Sequence, residues 1–197
     1  LQAEVEQVLA GLKTYFQKEN SLPAADNLPD RVDYWFPEEQ KRGLALILGS
    51  IRSVHDAQIR TFLFCSFSNI LKGCSIWMTR SVKPTRDRQK KVAPAYPSFV
   101  LQTKRMMQKN AEFWQALEDG NNMLDCIADN RDARSLAIGS SSADLVVTSP
   151  PYITSYEYAD LHQLTALWLG FTDNLKDFRS RFIGSNQTGS GKAATHT

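Results

Sequence analysis

One stretch of sequence decides the predicted fold: ADLVVTSPPY, at residues 143–152. Its first six residues are largely apolar and rich in β-branched side chains, with serines before them and prolines after them. This composition is typical of a buried parallel strand. We therefore predict a strand over residues 143–148 that ends in a rigid turn, because two consecutive prolines restrict the backbone.

The turn holds one polar and one aromatic side chain in a fixed relation, since Pro150 and Pro151 separate Ser149 from Tyr152. Ligands of open α/β sheets bind at the carboxyl ends of strands, where this turn is predicted to lie. The Ser149 hydroxyl and the Pro150 carbonyl are suited to accept both N–H groups of an exocyclic amino group on a base. The Tyr152 ring is suited to stack on that base once it is flipped from a duplex. Methyl transfer to the nitrogen then needs positioning and no metal. The alternative is a proline turn that only caps a strand.

Most of the chain before this strand is predicted to be helical. Apolar residues recur at helical spacing from Val5 to Phe16, from Leu44 to Ile51, from Ile59 to Leu71 and from Phe99 to Leu117. A further helix, which ends at Gly170, is predicted after the turn. The aromatic side chains predicted to lie in the core are Phe62, Phe67, Phe113 and Trp114.

The predicted organisation is a helix-rich α/β chain with three parts. Residues 1–120 form a helical region. Residues 121–184 form a βα-type region that holds the chemistry, with a second short strand at residues 123–128. Residues 185–197 are polar and rich in Gly, Ser and Thr, and we predict a disordered tail there.

A basic, proline-containing loop is predicted over residues 80–96, between the third and fourth of these helical segments. Residues 80–105 contain eight positively charged side chains and one acid, Asp87. Such a loop can follow a phosphate backbone and give salt-sensitive, sequence-independent affinity. The residues predicted to contact DNA are Arg80, Lys83, Arg86, Arg88, Lys90 and Lys91. A solvated surface loop without a ligand is the alternative.

Several other features narrow the class of protein. The three cysteines, Cys65, Cys74 and Cys126, are far apart and indicate neither a zinc site nor a disulfide framework. No apolar run is long enough to span a bilayer, so we expect a cytoplasmic protein with reduced thiols. The first residues are neither a start methionine nor a signal peptide, which indicates a piece of a longer protein. We interpret His162 as a helix-surface or packing residue rather than a general base.

Residues 144–152 resemble the catalytic motif of the N4-cytosine and N6-adenine DNA amino-methyltransferases. DARSL at residues 132–136 is similar to an Asp-Ala-Arg segment one strand earlier in that family. YWF at residues 34–36 and the segment 60–71 resemble a helical insertion found in one subgroup. The similarity after the motif includes Tyr156, Tyr158, Asp160, Leu161, Trp168, Leu169, Gly170, Arg179, Arg181, Ile183, Gly184 and Ser185.

The resemblance implies a partial Rossmann-like methyltransferase sheet with a helical insertion. It also implies methyl transfer from S-adenosylmethionine to an amino group of DNA, with N4 of cytosine favoured over N6 of adenine because the serine version of the motif is more usual there. Cofactor contacts are implied for Asp132 and Thr148. Catalytic roles are implied for Ser149, Pro150, Pro151 and Tyr152.

One element of the family pattern has no counterpart in this sequence. The family carries a Phe-x-Gly-x-Gly loop that cradles the methionine part of S-adenosylmethionine. We therefore expect an incomplete part of the enzyme, whose partners are DNA and the missing N-terminal part of the methyltransferase domain. Two alternatives stay open: an RNA amino-methyltransferase, and a non-catalytic fragment that binds DNA or docks on a partner.

Overall fold

The structure, a computed structural model, describes residues 1–17, 28–119, 127–129, 135–136, 138–149 and 158–180. The helices in this part of the chain are α1 (Gln2–Gln17), α2 (Asp30–Trp35), α3 (Glu38–Arg52), α4 (Ala57–Ile70), α5 (Ala95–Asp119), α6 (Tyr158–Leu169) and α7 (Leu175–Ser180). The helices predicted from apolar spacing are confirmed as α1, α3, α4, α5 and α6. No apolar pattern predicts α2 and α7, because each has only six residues.

Local sequence signals account for two of the helix ends, the start of α4 and the end of α6. The Asp56 carboxylate caps α4 by accepting the backbone N–H groups of Gln58 at 2.8 Å and Ile59 at 2.9 Å. α6 ends at Gly170, whose φ of 75° is a left-handed conformation that favours glycine. There the N–H of Phe171 donates to the Ala166 carbonyl at 2.9 Å, which closes the last turn of the helix.

One hydrophobic core joins α1 through α6. The Trp168 side chain of α6 is 1% exposed, and its ring lies edge-on to Phe36 at 5.4 Å and to Phe67 at 5.8 Å. Trp35 of α2 stacks on Trp77 at 5.1 Å. α6, the helix that follows the predicted catalytic turn, is therefore part of the same packed body as the helices that precede it.

The predicted α/β fold class, with its partial Rossmann-like sheet, is wrong. Helix makes up 63% of the described residues, which contain one isolated antiparallel bridge and no strand or sheet. Residues 143–148 are irregular, and Leu145, Val146 and Val147 are 80%, 78% and 87% exposed. A buried strand must pair its backbone N–H and C=O groups with neighbouring strands, and the described part of the chain offers none. The predicted strand at residues 123–128 lies mostly outside the described residues.

The predicted aromatic core is only partly correct. Phe67 is buried and Phe62 packs against the core, as predicted. Phe113 and Trp114 are 58% and 43% exposed, so their prediction is wrong. They lie on the last turns of α5, where that long helix extends past the body it packs on. None of the described helices is long and apolar enough to cross a membrane.

Candidate nucleic-acid interface

The basic loop comprises residues 71–94 between α4 and α5 and has a defined backbone, whereas Lys104 and Arg105 of the predicted basic stretch lie on α5. The Met78 N–H donates to the Thr85 carbonyl, and the Asp87 N–H donates to the Ile76 carbonyl, both at 2.8 Å. These bonds flank the antiparallel bridge between Trp77 and Arg86. Two short segments of the loop therefore run side by side, and residues 79–84 form the turn between them.

Lysine side chains fix this loop from within. The Lys90 ammonium donates to the carbonyls of Lys72 at 2.7 Å and Trp77 at 2.8 Å. The Lys72 ammonium donates to the Ser81 carbonyl at 3.0 Å. Partial burial, and secondarily the charge of Lys72, lower the pKa of Lys90 from its usual range. Lys90 therefore stabilises the backbone of the loop, although its charge had predicted a contact with a phosphate group.

Four of the six predicted DNA-contact residues are exposed. They are Arg80, Lys83, Arg88 and Lys91. None of them forms an ion pair with a carboxylate in the described part of the chain. Their charges are therefore available to an anionic ligand.

Arg86, the sixth predicted residue, lies over an aromatic ring. Its guanidinium carbon is 4.1 Å from the ring centroid of Tyr34 on α2, and the guanidinium carbon of Arg31 is 5.1 Å from the same centroid. Both distances lie in the range of cation–π interactions. The Arg86 Nε is buried and has no hydrogen-bond partner, so the ring is what holds this guanidinium. We call Arg31, Tyr34 and Arg86 the arginine–tyrosine cluster.

The arginine–tyrosine cluster is joined to α6 through Gln163. The side-chain carbonyl of this fully buried residue accepts the indole N–H of Trp35 at 2.9 Å and the Nε–H of Arg31 at 3.3 Å. The Gln163 amide nitrogen donates to the Asp160 carbonyl at 2.8 Å. α2 is thereby attached to the first turns of the helix that follows the predicted catalytic turn.

Of the predicted catalytic segment, residues 144–152, the structure describes residues 144–149. Thr148 and Ser149 are exposed, whereas Pro150, Pro151 and Tyr152 lie outside the described residues. The predicted cofactor residue Asp132 also lies outside them. His162 is exposed on α6, in agreement with its interpretation as a helix-surface residue.

An open groove of about 900 Å³ lies between α2 and α7, with Arg31 on its edge. Its other cations, Lys176 and Arg179, share the lining with Asp30 and Asp173. This mixed charge gives the groove no strong attraction for a polyanion. Within the described ranges, no group of three or more His, Cys, Asp or Glu side chains is placed to hold a metal ion.

The sequence predicts Arg86 as a DNA contact but gives no reason to single out Arg31. Arg31 is separated from the basic loop by about fifty residues of sequence and carries no motif of its own. In the sequence, Tyr34 stands out only because YWF at residues 34–36 resembles a helical insertion of one methyltransferase subgroup. The contact between α2 and the loop is a tertiary feature that charge counting along the chain cannot detect.

The chain is similar in sequence to the type II methyltransferase M.MvaI of Kocuria varians, with 30% identity over 155 residues. The alignment covers 73% of this chain and 34% of that protein, so the chain spans about a third of the length of the curated relative it matches. No protein-family profile and no solved structure matches the chain. The similarity supports a relationship with the DNA methyltransferases.

Proposed function

We propose that this chain is an incomplete part of an S-adenosylmethionine-dependent enzyme that methylates an exocyclic amino group of a DNA base, with N4 of cytosine favoured over N6 of adenine. The observation that carries the proposal is the similarity to a type II methyltransferase over 73% of the chain. The resemblance of residues 144–152 to an amino-methyltransferase motif supports the choice of an amino group.

The proposed domain organisation follows the boundaries set by the sequence. Residues 1–120 form a helical region and residues 121–184 carry the catalytic segment, whereas the tail predicted at residues 185–197 lies outside the described residues. α6 packs against α2 and α4, and the catalytic segment precedes α6 in sequence, so we expect the two regions to act on one substrate.

The proposed chemistry depends on positioning. The Ser149 hydroxyl and the Pro150 carbonyl accept the two amino N–H groups, which directs the nitrogen lone pair towards the methyl donor, while Pro151 holds the turn and Tyr152 stacks on the base. S-adenosylmethionine supplies an activated methyl group when bound, and the surplus amino proton leaves to water.

The proposed cofactor contacts are Asp132 and Thr148. Thr148 and Ser149 are exposed to solvent on this chain. Residues this open cannot exclude water from a bound cofactor, so we propose that the missing N-terminal part of the methyltransferase domain covers them.

Calorimetric titration with S-adenosylmethionine tests the proposal. The chain is titrated alone and in a mixture with the remaining part of the parent protein supplied as a separate chain. We expect binding in the mixture and little or none with the chain alone. Absence of binding in both would favour the non-catalytic alternative.

A methylation assay on the mixture then tests the chemistry and the substrate. We expect Ser149→Ala to lower kcat by about a hundredfold or more, because a preorganised hydrogen-bond partner of the reacting group is lost. Ser140→Ala is the matched control, since Ser140 is also exposed but lies outside the motif. Mass spectrometry of the product nucleosides identifies the methylated base. Methylation of a matched RNA oligonucleotide in place of DNA would support the RNA alternative.

A further inference from the structure

We propose that the arginine–tyrosine cluster of Arg31, Tyr34 and Arg86 binds the phosphate backbone of DNA. This inference rests on the proposed function, because it takes DNA as the ligand. It assigns a binding role to Arg31 and Tyr34, on α2, in addition to the exposed cations of the basic loop.

The arrangement of charge in the cluster points to an anionic ligand. The guanidinium carbons of Arg31 and Arg86 both lie within 5.1 Å of the ring centroid of Tyr34, so two positive charges share one aromatic ring. Neither forms an ion pair with a carboxylate in the described part of the chain. A phosphate at either guanidinium would gain charge-assisted hydrogen bonds.

The donors of the cluster are suited to phosphate. The terminal guanidinium nitrogens of Arg31 and Arg86 donate to no acceptor among the described residues. Planar guanidinium groups contact phosphate oxygens with two parallel hydrogen bonds. Tyr34 is 42% exposed, so the cluster lies at the protein surface where a DNA strand can reach it.

The cluster is also preorganised. Stacking on Tyr34 orients both guanidiniums, and the bond from Arg31 to the buried Gln163 fixes one of them to α6. Arg86 belongs to the antiparallel bridge that shapes the basic loop. Groups held in place in the free protein lose little conformational entropy when they bind a ligand.

The cluster connects the basic loop to α6. Arg86 belongs to the loop, and Arg31 donates to Gln163 on α6, the helix that follows the catalytic segment in sequence. Arg31 also lines the groove between α2 and α7, whose other cations, Lys176 and Arg179, are offset there by Asp30 and Asp173. Phosphate contact is therefore expected on the side of the cluster that faces the basic loop.

Fluorescence anisotropy with a labelled DNA duplex tests the inference on the whole chain over a range of salt concentrations. For the Arg31→Met, Arg86→Met double variant we expect affinity to fall by roughly tenfold or more, and the slope of log affinity against log salt to fall in magnitude by about 2, as expected for two lost phosphate contacts. Tyr34→Ala should weaken binding in the same direction, because the guanidiniums lose their support.

Arg52→Met is the matched control, since Arg52 is an exposed arginine at the end of α3, outside the cluster. A double variant that binds DNA with the affinity and slope of this control would overturn the inference. Thermal unfolding of each variant checks that it is folded. If the methionine double variant is unfolded, the Arg31→Lys, Arg86→Lys double variant replaces it. We then expect a smaller loss of affinity, because lysine keeps the charge but lacks the planar fork of hydrogen-bond donors.

Two further outcomes separate the possible failures. Displacement of DNA by millimolar inorganic phosphate at constant ionic strength would indicate a free-anion site and overturn the inference. Lack of DNA binding by the wild-type chain would also overturn the inference about the cluster. The proposed methyl transfer is tested separately: it fails only if the mixture with the remaining part of the parent protein neither binds S-adenosylmethionine nor methylates a nucleic acid.

Discussion

Burial changes the reactivity of the Cys74 thiol, so the reactivity of this residue cannot be inferred from its being a cysteine. It lies in the core just after α4, and burial raises the pKa of its thiol to about 11. Cys65 lies on the exposed side of the same helix. Because the thiolate is the nucleophile, the two cysteines should differ strongly in reactivity.

We expect iodoacetamide at pH 8 to modify Cys65 readily in the native chain and to modify Cys74 only when the protein is unfolded. At that pH a thiol with a pKa near 11 is ionised in roughly one molecule in a thousand, and the core also shields it. Peptide mass mapping before and after addition of urea measures the two sites separately. Equal labelling of both cysteines in the native chain would show that the Cys74 side of the core is open.

Lys90 and Lys91 show that an element can give neighbouring residues of one type different roles. The Lys90 ammonium donates to two carbonyls of the basic loop, whereas Lys91 is exposed. The loop is thus a structured element. Its two short segments pair only at one bridge, and hydrogen bonds from the partly buried ammonium groups of Lys72 and Lys90 hold the rest of its backbone.

Lys90→Met is expected to lower the free energy of unfolding by about 1–3 kcal/mol, because the carbonyls of Lys72 and Trp77 lose their donor. Lys91→Met should change it by less than about 0.5 kcal/mol, since exposed side chains contribute little. Urea denaturation followed by tryptophan fluorescence measures both. If the Lys90 variant is as stable as the Lys91 variant, the two hydrogen bonds make no net contribution to the free energy of unfolding.

On the scale of the whole molecule, α6 determines whether the chain forms one body or two. Trp168 fills the space between Phe36 and Phe67, so the helix after the catalytic segment shares a core with the helices before the basic loop. A hydroxyl pair between Ser68 and Thr165, at 2.7 Å, adds a polar contact between α4 and α6.

Trp168→Ala should therefore destabilise the whole chain by about 3–5 kcal/mol, the usual cost of truncating a buried aromatic side chain. Trp114→Ala serves as the control, because Trp114 is 43% exposed on α5 and should matter far less. Trp168→Phe should cost less than Trp168→Ala, since the buried indole N–H has no partner to lose. Chemical denaturation gives all three values, and equal losses for the two alanine variants would contradict the shared core.

The sequence by itself determined the five longer helices of the described residues and two of their ends, because helical spacing and capping act over a few neighbouring residues. Apolar spacing is sufficient for α3 and α5, Asp56 for the start of α4, and Gly170 for the end of α6. The same local reasoning predicted a strand at residues 143–148, and it failed because a strand exists only through hydrogen bonds to a neighbour that local sequence cannot supply.

Only the tertiary structure decided which charges of the candidate interface are available to a ligand. Sequence reasoning treated Lys90 and Lys91 alike, yet the fold turns one inward to backbone carbonyls and leaves the other exposed. It likewise brings Arg31 to Arg86 across the ring of Tyr34. These relations depend on packing between segments far apart in the chain, so composition and spacing, which describe each segment separately, could not reveal them.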